Sequence, residues 1–315
     1  MRSKSHSFVA RNREARHLAS TYLSQANGGD AEGHHSSLVP RGSRKRRRVA
    51  HYLDTLFGDV EVIDTVDRIG RRVRVLEVDR SWQSAMFLDA WSELVFPYHH
   101  VFNEVVARRC PRTVLMLGGG AFSYPKYLLC HFKDVRVDVV EIDPVICDIA
   151  HEWFFLDRVE EMLGRNQDGS QLRTFICDGR DFLELGAPDD PEVTYELIAN
   201  DCFQATDLVA GLMTLESARL VHRRLKPGGA YVANVIGPIE GEDATDIHDV
   251  FRTFSQVFAH VWLLSCGEED PLKVSNYVLV ASDAPWDFAD VIDVAGLEAA
   301  GLAPEGRVLT DADFD

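Results

Sequence analysis

Residues Thr113 to Asp143 read TVLMLGGGAFSYPKYLLCHFKDVRVDVVEID, the pattern of a buried strand, a glycine turn, a helix and a second strand that ends in a carboxylate. Val114 to Leu117 form a short apolar run, as a strand covered by helices on both faces requires. The three glycines that follow, Gly118, Gly119 and Gly120, let the backbone approach a ligand closely. The stretch therefore predicts half of a nucleoside-binding site.

The end of the second strand supplies the matching carboxylate. Glu141 lies 21 residues beyond Gly120 and is followed by the apolar Ile142. A carboxylate at this point accepts hydrogen bonds from ribose hydroxyls in dinucleotide-binding and other Rossmann-like folds. A dinucleotide site favours glycine or alanine at the third position of its fingerprint, whereas this chain has Ser123. The pattern therefore indicates a nucleoside ligand and disfavours NAD.

Two later strands also end in acids. Leu172 to Cys177 is an apolar run closed by Asp178 and Gly179, and this carboxylate could accept a hydrogen bond from an adenine amino group. Tyr195 to Ala199 is a further strand, and Asp201 follows shortly after it. Because open α/β folds bind ligands at the carboxyl ends of parallel strands, we expect these acids and the glycine turn to share one edge of a sheet.

The remaining pattern completes an α/β fold with a Rossmann-like, doubly wound and mostly parallel sheet, whose last two strands are antiparallel. Apolar spacing predicts helices over Leu208 to Leu225 and Asp243 to Ala259, and turn residues predict a turn over Lys226 to Gly229. Strands are predicted over Tyr231 to Ile236, Val261 to Ser265 and Tyr277 to Ala281, of which the last two close the sheet.

The chain before the glycine turn has a different pattern of polar and apolar residues. Val60 to Asp64 and Arg72 to Asp79 alternate polar and apolar residues, which predicts a half-buried antiparallel hairpin. Trp91 to Val106 is amphipathic at helical spacing and carries Tyr98. We therefore expect a small antiparallel β-domain before the parallel sheet.

Taken together, these residues resemble the class I S-adenosylmethionine-dependent transferase fold, and within it the spermidine synthase family with its spermidine-synthase-like branch. The resemblance covers roughly Val60 to Ser282. Residues that match the family's motifs are Gly118 to Gly120 for its glycine turn, Val140 to Asp143 for its VEID strand end, Asp178 on the adenine side, Asp201 to Phe203 for its DAF element, and Gln83 for a cofactor-contacting glutamine.

The resemblance implies a polyamine aminopropyltransferase. Its cofactor is decarboxylated S-adenosylmethionine, and Asp201 would orient and deprotonate the attacking amine of putrescine or a similar small amine. Tyr98 carries over from the family's YxE element as a second catalytic residue. The residues that would bind the cofactor are Gln83, Gly118 to Gly120, Glu141, Ile142, Asp178, Gly179 and Asp201 itself. The resemblance also implies a cytoplasmic homodimer that takes part in polyamine biosynthesis.

The departures from the family's motifs keep alternatives open. Polyamine synthases read GGGDG, with an acid that contacts the aminopropyl amine, whereas Ala121 and Phe122 follow the glycines here. The acid of YxE is replaced by His100, and the DxxDPxGP signature after the fourth strand is absent. A methyltransferase that uses intact S-adenosylmethionine would explain Ala121, because an acid there would repel the cofactor's carboxylate. A nucleoside-binding protein without turnover is the third interpretation.

Metal and disulfide chemistry are not indicated. His99 and His100 are adjacent, and neighbouring helical residues diverge by about 100°, so both side chains cannot face one ion. The six cysteines show no CxxC pair or His-flanked spacing and are expected to be reduced thiols. We expect no bound metal.

Charge is divided unevenly along the chain. The first 50 residues hold 11 Lys or Arg against 3 Asp or Glu, and the remaining residues hold 22 against 47. A strongly acidic body repels nucleic acid and attracts small cations such as polyamines. No apolar run approaches the length of a membrane span, so neither nucleic acid nor membrane is an expected partner.

These observations divide the chain into four segments. Residues 1–50 form a basic leader expected to lie outside the fold, and HHSSLVPRGS at positions 34–43 contains a thrombin cleavage sequence of the kind found in expression vectors. Residues 51–90 form the small β-domain, 91–285 the nucleoside-binding catalytic domain, and 286–315 an acidic C-terminal segment.

Overall fold

A computed structural model describes residues 46–314, apart from 57, 68, 79, 80, 166, 167, 205, 206, 268 and 269. Most of the leader and its cleavage sequence lie outside these residues. The described chain contains two large β-sheets and eight α-helices around them. No described helix combines the length and the apolar character that crossing a bilayer demands.

The first sheet has four antiparallel strands in the order β1-β2-β3-β4, namely Arg47–Thr55, Gly58–Val66, Arg72–Val78 and Ser81–Phe87. The expected hairpin is present as β2 and β3. Strand β1 begins four residues before the boundary expected at residue 51. Its two arginines form ion pairs with acids on β2, as in the Arg48–Glu61 pair at 2.6 Å, and its apolar side chains are only partly buried, so alternation did not reveal it.

The second sheet has seven strands in the order β12-β13-β11-β8-β5-β6-β7. Strands β7, β6, β5, β8 and β11 are mutually parallel, while β13 is antiparallel to both its neighbours. With the short hairpin β9–β10 that precedes β11, the strands after β4 are Thr113–Leu117, Arg136–Glu141, Gln171–Ile176, Tyr195–Asn200, Phe203–Gln204, Asp207–Leu208, Leu225–Gly237, His260–Ser265 and Ser275–Ser282.

Helices cover both faces of this sheet, as the continuous apolar strands require. In chain order, α1 to α8 are Pro97–Arg109, Ser123–His131, Pro144–Trp153, Leu156–Arg165, Gly179–Leu185, Leu215–Arg224, Thr245–Phe254 and Val294–Ala299. Apolar residues of α1 to α4 pack on one face of the sheet, and those of α5 to α8 pack on the other. The doubly wound arrangement predicted from the sequence is present.

Three predicted boundaries are wrong. The helix expected from Trp91 begins only at Pro97, whose ring suits the first turn of a helix, where no backbone donor is needed. The helix expected from Leu208 begins at Leu215, where the Thr214 side chain caps it. The expected turn at residues 226–229 lies inside β11 as an irregularity of the pairing, with Gly228 at a φ of 69°.

The small sheet packs on the large one through its own apolar cluster. Residues of β2, β3 and β4 meet Ala121 and the start of α3 there, and the members are Val60, Val62, Leu76, Val78, Met86, Ala121, Ile146, Ile149 and Phe154. This contact places β4 directly over the glycine turn.

A lysine is buried beside this interface. Lys126 in α2 is 1% exposed, and its Nζ donates to the Phe154 carbonyl at 2.5 Å and lies 3.6 Å from Met86 Sδ. Burial lowers the pKa of Lys126 to about 7. Because the unfolded chain holds this proton up to a pH near 10.5, Lys126 destabilises the fold below about pH 7, and the penalty fades as pH rises toward 10.5.

Replacing Lys126 by Met should therefore change the pH dependence of stability. Each pKa unit corresponds to about 1.4 kcal/mol, so we expect the variant to gain stability, relative to the native chain, on the order of a few kcal/mol at pH 6. The gain should shrink between pH 7 and pH 10. Chemical denaturation across this range measures it, with Lys133→Met on an exposed position as control. Parallel stability curves for Lys126→Met and the native chain would contradict the assignment.

Candidate active site

The glycine turn after β5 lies at the carboxyl edge of the parallel strands. Gly118 and Gly120 have φ values of 83° and 48°, which favour glycine. A Cβ atom on Gly118 would lie 2.8 Å from the carbonyl oxygen of Asp201, and the Asp201 N–H donates to Leu117 O at 2.9 Å. The turn after β5 and the end of β8 are therefore in direct contact.

Glu141 binds the turn from the end of β6. Its Oε2 accepts hydrogen bonds from the N–H groups of Gly119 and Gly120, both at 3.0 Å, and its Oε1 accepts one from Asp143 at 3.0 Å. Burial raises the pKa of Glu141, and these backbone donors oppose the rise. The backbone N–H of Ile142 also opposes the rise, so backbone groups of the turn and of the residues after β6 hold this carboxylate.

Asp178 follows β7 and caps α5. Its Oδ1 accepts hydrogen bonds from the N–H groups of Arg180 at 2.7 Å and Asp181 at 3.2 Å. The N–H of Cys177 donates to the Glu141 carbonyl at 3.2 Å, so the ends of β6 and β7 adjoin. Cβ of an alanine at Gly179 would be 3.7 Å from Leu117 at the start of the glycine turn. The structure therefore places Asp178 and Gly179 beside the turn.

Asp201 lies among three donors. The Tyr98 hydroxyl donates to Oδ2 at 2.8 Å, His99 Nε2 lies 3.2 Å from the same oxygen, and Asn234 Nδ2 donates to Oδ1 at 3.0 Å. Since a carboxylate only accepts, His99 carries its proton on Nε2. Burial and the charge of Asp201 raise the pKa of Tyr98 well above its usual value, so the hydroxyl stays a donor. The Asp201 side chain keeps 13% exposure.

The two adjacent histidines point in different directions, as expected for a helix. The His99 ring is 3% exposed and stacks on Tyr124 with ring centres 5.1 Å apart, whereas His100 is only partly buried. Within the described residues, no group of three or more His, Cys, Asp or Glu could hold a metal ion.

Strand β4 approaches the turn from the small sheet. Ser84 Oγ accepts a hydrogen bond from the Ala121 N–H at 2.9 Å, and a Cβ on Gly120 would lie 2.6 Å from this oxygen. The same Cβ would lie 3.9 Å from the Gln83 carbonyl oxygen. The structure thus places the backbone of Gln83 beside the glycine turn.

The Cys202 thiol lies near all three acids. Burial raises its pKa well above the usual value, and the charges of Glu141, Asp201 and Asp178 raise it further. Ile142, next to Glu141, is 40% exposed and offers an apolar surface at the same edge. The structure therefore brings together the predicted residues, while their roles toward a ligand stay predictions.

Sequence reasoning missed two of the donors around Asp201 and the serine under the turn. No motif identified His99 as a partner of Asp201, and Asn234 lies within an apolar strand where a polar side chain is unusual. That unusual position was the available signal for Asn234. Ser84 directly follows Gln83 and carried no motif of its own.

Comparison with known proteins places the chain in a family. A family profile described as "Spermine/spermidine synthase domain" matches residues 95–266, more than half of the 315 residues. The chain belongs to the spermine/spermidine synthase family. The expectation of a transferase is confirmed at the level of this family.

Curated relatives carry related names. Polyamine aminopropyltransferase 2 of Hyperthermus butylicus is 29% identical over 177 residues, 52% of this chain and 50% of that protein. Polyamine aminopropyltransferase of Moorella thermoacetica is 25% identical over 248 residues, 74% and 80% of the two chains. A mouse eEF1A lysine and N-terminal methyltransferase is 32% identical over 99 residues, 31% of this chain and 13% of that protein. The chain thus spans about half the length of the first relative and a small part of the mouse protein.

Solved structures support the fold. A probable spermidine synthase from Corynebacterium glutamicum has a TM-score of 0.62 at 19% identity, covering 82% of this chain and 95% of that one. A spermidine synthase in complex with the transition state analogue AdoDATO has a TM-score of 0.52 at 15% identity, covering 84% and 83%. The predicted class I methyltransferase-type fold with a small β-domain before it is confirmed.

The contact between β4 and the turn can be tested at Ser84. Ser84→Ala removes the acceptor for the buried Ala121 N–H, which should cost about 1–3 kcal/mol of stability. Amide hydrogen exchange at Ala121 should become faster in the variant. Ser81→Ala at the start of the same strand is the control and should leave this exchange unchanged. Unchanged protection of Ala121 in Ser84→Ala would show that the hydrogen bond does not hold the turn.

Proposed function

We propose that the protein is an aminopropyltransferase that moves an aminopropyl group from decarboxylated S-adenosylmethionine to a diamine such as putrescine. The observation that carries this proposal is the Asp201 carboxylate, fixed by Tyr98, His99 and Asn234 in contact with the glycine turn. Family membership and the aminopropyltransferase relatives support it.

The chemistry of the acceptor explains the need for such an acid. An alkyl amine with a pKa near 10 is about 99.9% protonated at pH 7 and has no lone pair for attack. A carboxylate that binds the ammonium group and takes its proton makes the nitrogen nucleophilic. In this proposal Asp201 does both, and its three donors hold the oxygens in place while the amine approaches.

The residues at the sheet edge fit a bound adenosyl group. Gly118 and Gly120 let the turn lie directly against Asp201 and Ser84, where a Cβ would clash, and Glu141 would bind the ribose at the adjoining strand end. Asp178, Gly179 and Ile142 would contact adenine, and Gln83 would close the site from β4. The bound group supplies a sulfonium that activates the transferred carbon, and its thioether product leaves without a proton. The protein then contributes orientation and the exclusion of water.

A second candidate is methyl transfer from intact S-adenosylmethionine. The observation that favours it is Ala121, which is fully buried in the small sheet's apolar cluster and offers no acid for an aminopropyl amine. The match to the mouse methyltransferase also supports it. Titration calorimetry with each cofactor separates the two functions, because tighter binding of the intact form would favour methyl transfer.

The remaining parts of the proposal concern the assembly. We propose that residues 51–90 form a domain that closes the site of the 91–285 domain, and that 286–315 is a further segment. Family likeness supports a cytoplasmic homodimer with a small amine as its partner. The acidic body supports attraction of this cation over nucleic acid.

Turnover provides the first test of this function. Purified protein incubated with decarboxylated S-adenosylmethionine and putrescine should release methylthioadenosine, measured by chromatography. Intact S-adenosylmethionine should give no methylated amine under the same conditions. Absence of methylthioadenosine with both substrates saturating would reject aminopropyl transfer, and binding without any product would favour a nucleoside-binding protein.

Asp201→Asn provides the second test. The amide keeps the shape of the side chain but removes the base, so we expect kcat to fall at least about 1,000-fold, within the range of general base effects. Cofactor affinity measured by calorimetry should change less than about threefold. Asp287→Asn on an exposed position is the matched control and should retain full activity. Activity within tenfold of the native chain would exclude Asp201 as the base.

A further inference from the structure

Two asparagines interrupt apolar strands on the α1 side of the large sheet. Val232 and Asn234 of β11 face this side, and so do Asn276, Val278 and Val280 of β13. In the antiparallel pairing, Asn234 lies opposite Val278 and Ile236 lies opposite Asn276. Asn234 and Asn276 are therefore diagonal neighbours on one face, close enough for their side chains to interact.

These side chains form a chain of hydrogen bonds that ends at Asp201. Asn276 Nδ2 donates to Asn234 Oδ1 at 2.9 Å, and Asn234 Nδ2 donates to Asp201 Oδ1 at 3.0 Å. Asn234 is 3% exposed, so water does not readily replace either partner. Because an amide has its donor and acceptor on opposite sides, the bond from Asn276 fixes which side faces the carboxylate.

We propose that Asn276 is a positioning residue that acts through Asn234 to hold the Asp201 carboxylate in place for the incoming amine. This inference rests on the proposed function. Among the described residues, Tyr98 and His99 bind Oδ2 and Asn234 is the donor to Oδ1, so the amide of Asn234 sets the orientation of Oδ1. A reversed Asn234 amide would place a carbonyl oxygen against the carboxylate, which replaces an attraction by a repulsion.

Other titratable groups lie near this carboxylate. Tyr98 and His99 on α1 contact it, and the Cys202 thiol lies close to it, to Glu141 at the end of β6 and to Asp178 before α5, while Cys266 lies near Tyr98. Asn276 is neutral and is separated from Asp201 by Asn234. Its influence should therefore pass through the orientation of the amide, which distinguishes it from those groups.

Two nearly isosteric substitutions test the proposal. Asn276→Asp replaces the donor by an acceptor, so Asn234 should turn its Nδ2 toward position 276 and its Oδ1 toward Asp201. We expect kcat to fall about tenfold or more, the acidic limb of the kcat/KM profile to move up by about one pH unit, and KM for the nucleoside to stay within twofold. Asn276→Leu removes the donor but supplies no acceptor, so it does not favour a reversed Asn234 amide. For this variant we expect a fall in kcat of about threefold to tenfold and a smaller shift of the acidic limb.

A double-mutant cycle separates orientation from the added charge. In an Asn234→Ala background, Asn276→Asp should no longer move the acidic limb, because the connecting amide is gone. A shift of equal size in both backgrounds would overturn the proposal and assign the effect to charge acting through space. Equal pH profiles for the native chain and Asn276→Asp would also overturn it.

A measurement without turnover keeps this test independent of the proposed function. Titration of the ¹³C-labelled Asp201 carboxyl by NMR, assigned with Asp201→Asn, follows the same group in every variant. We expect a higher pKa of Asp201 in Asn276→Asp than in the native chain, and no such rise in the Asn234→Ala background. If the native chain shows no product with either cofactor, the proposed function fails. The titration still shows whether Asn276 acts on Asp201 through Asn234.

Discussion

The close contact of the glycine turn with its surroundings is the constraint on which the site depends. Glu141 binds two N–H groups of the turn, and Gly118 lies against the backbone of Asp201 with no space for a Cβ. Ser84 binds the N–H that follows Gly120. Three elements far apart in the chain are thereby fixed to the same few residues, which sets the spacing among the candidate binding groups.

The three acids of the site are held by hydrogen bonds. Among the described residues, Glu141, Asp178 and Asp201 accept hydrogen bonds from backbone N–H groups, a phenol, an imidazole and an amide, and none forms an ion pair with Lys or Arg. Neutral donors stabilise a carboxylate without cancelling its field. No Lys or Arg among the described residues therefore offsets these acids at the edge of the sheet, which suits the cationic amine of the proposed function.

The sequence was sufficient where local pattern determines structure. Apolar runs located the central strands, and the rule that parallel strands share an edge brought Glu141, Asp178 and Asp201 together before any coordinates. It was insufficient where the partner is distant. Strand β1 pairs with β2 and forms ion pairs with acids on that strand. The contact of Asn234 with Asp201 depends on the register of β11 with β8, which no local pattern encodes.

The two departures from the family's glycine motif have different physical meanings. Phe122 has a φ of 57°, a conformation that costs a bulky residue energy, but its ring is fully buried and touches the space beside Gly119, which offsets the cost. Ala121 lies in the apolar cluster under the small sheet, where an acid would lose its hydration without gaining a partner. An apolar residue at position 121 is therefore part of how the small sheet is attached. In the proposed function, the far end of the cofactor would be recognised by residues outside the turn.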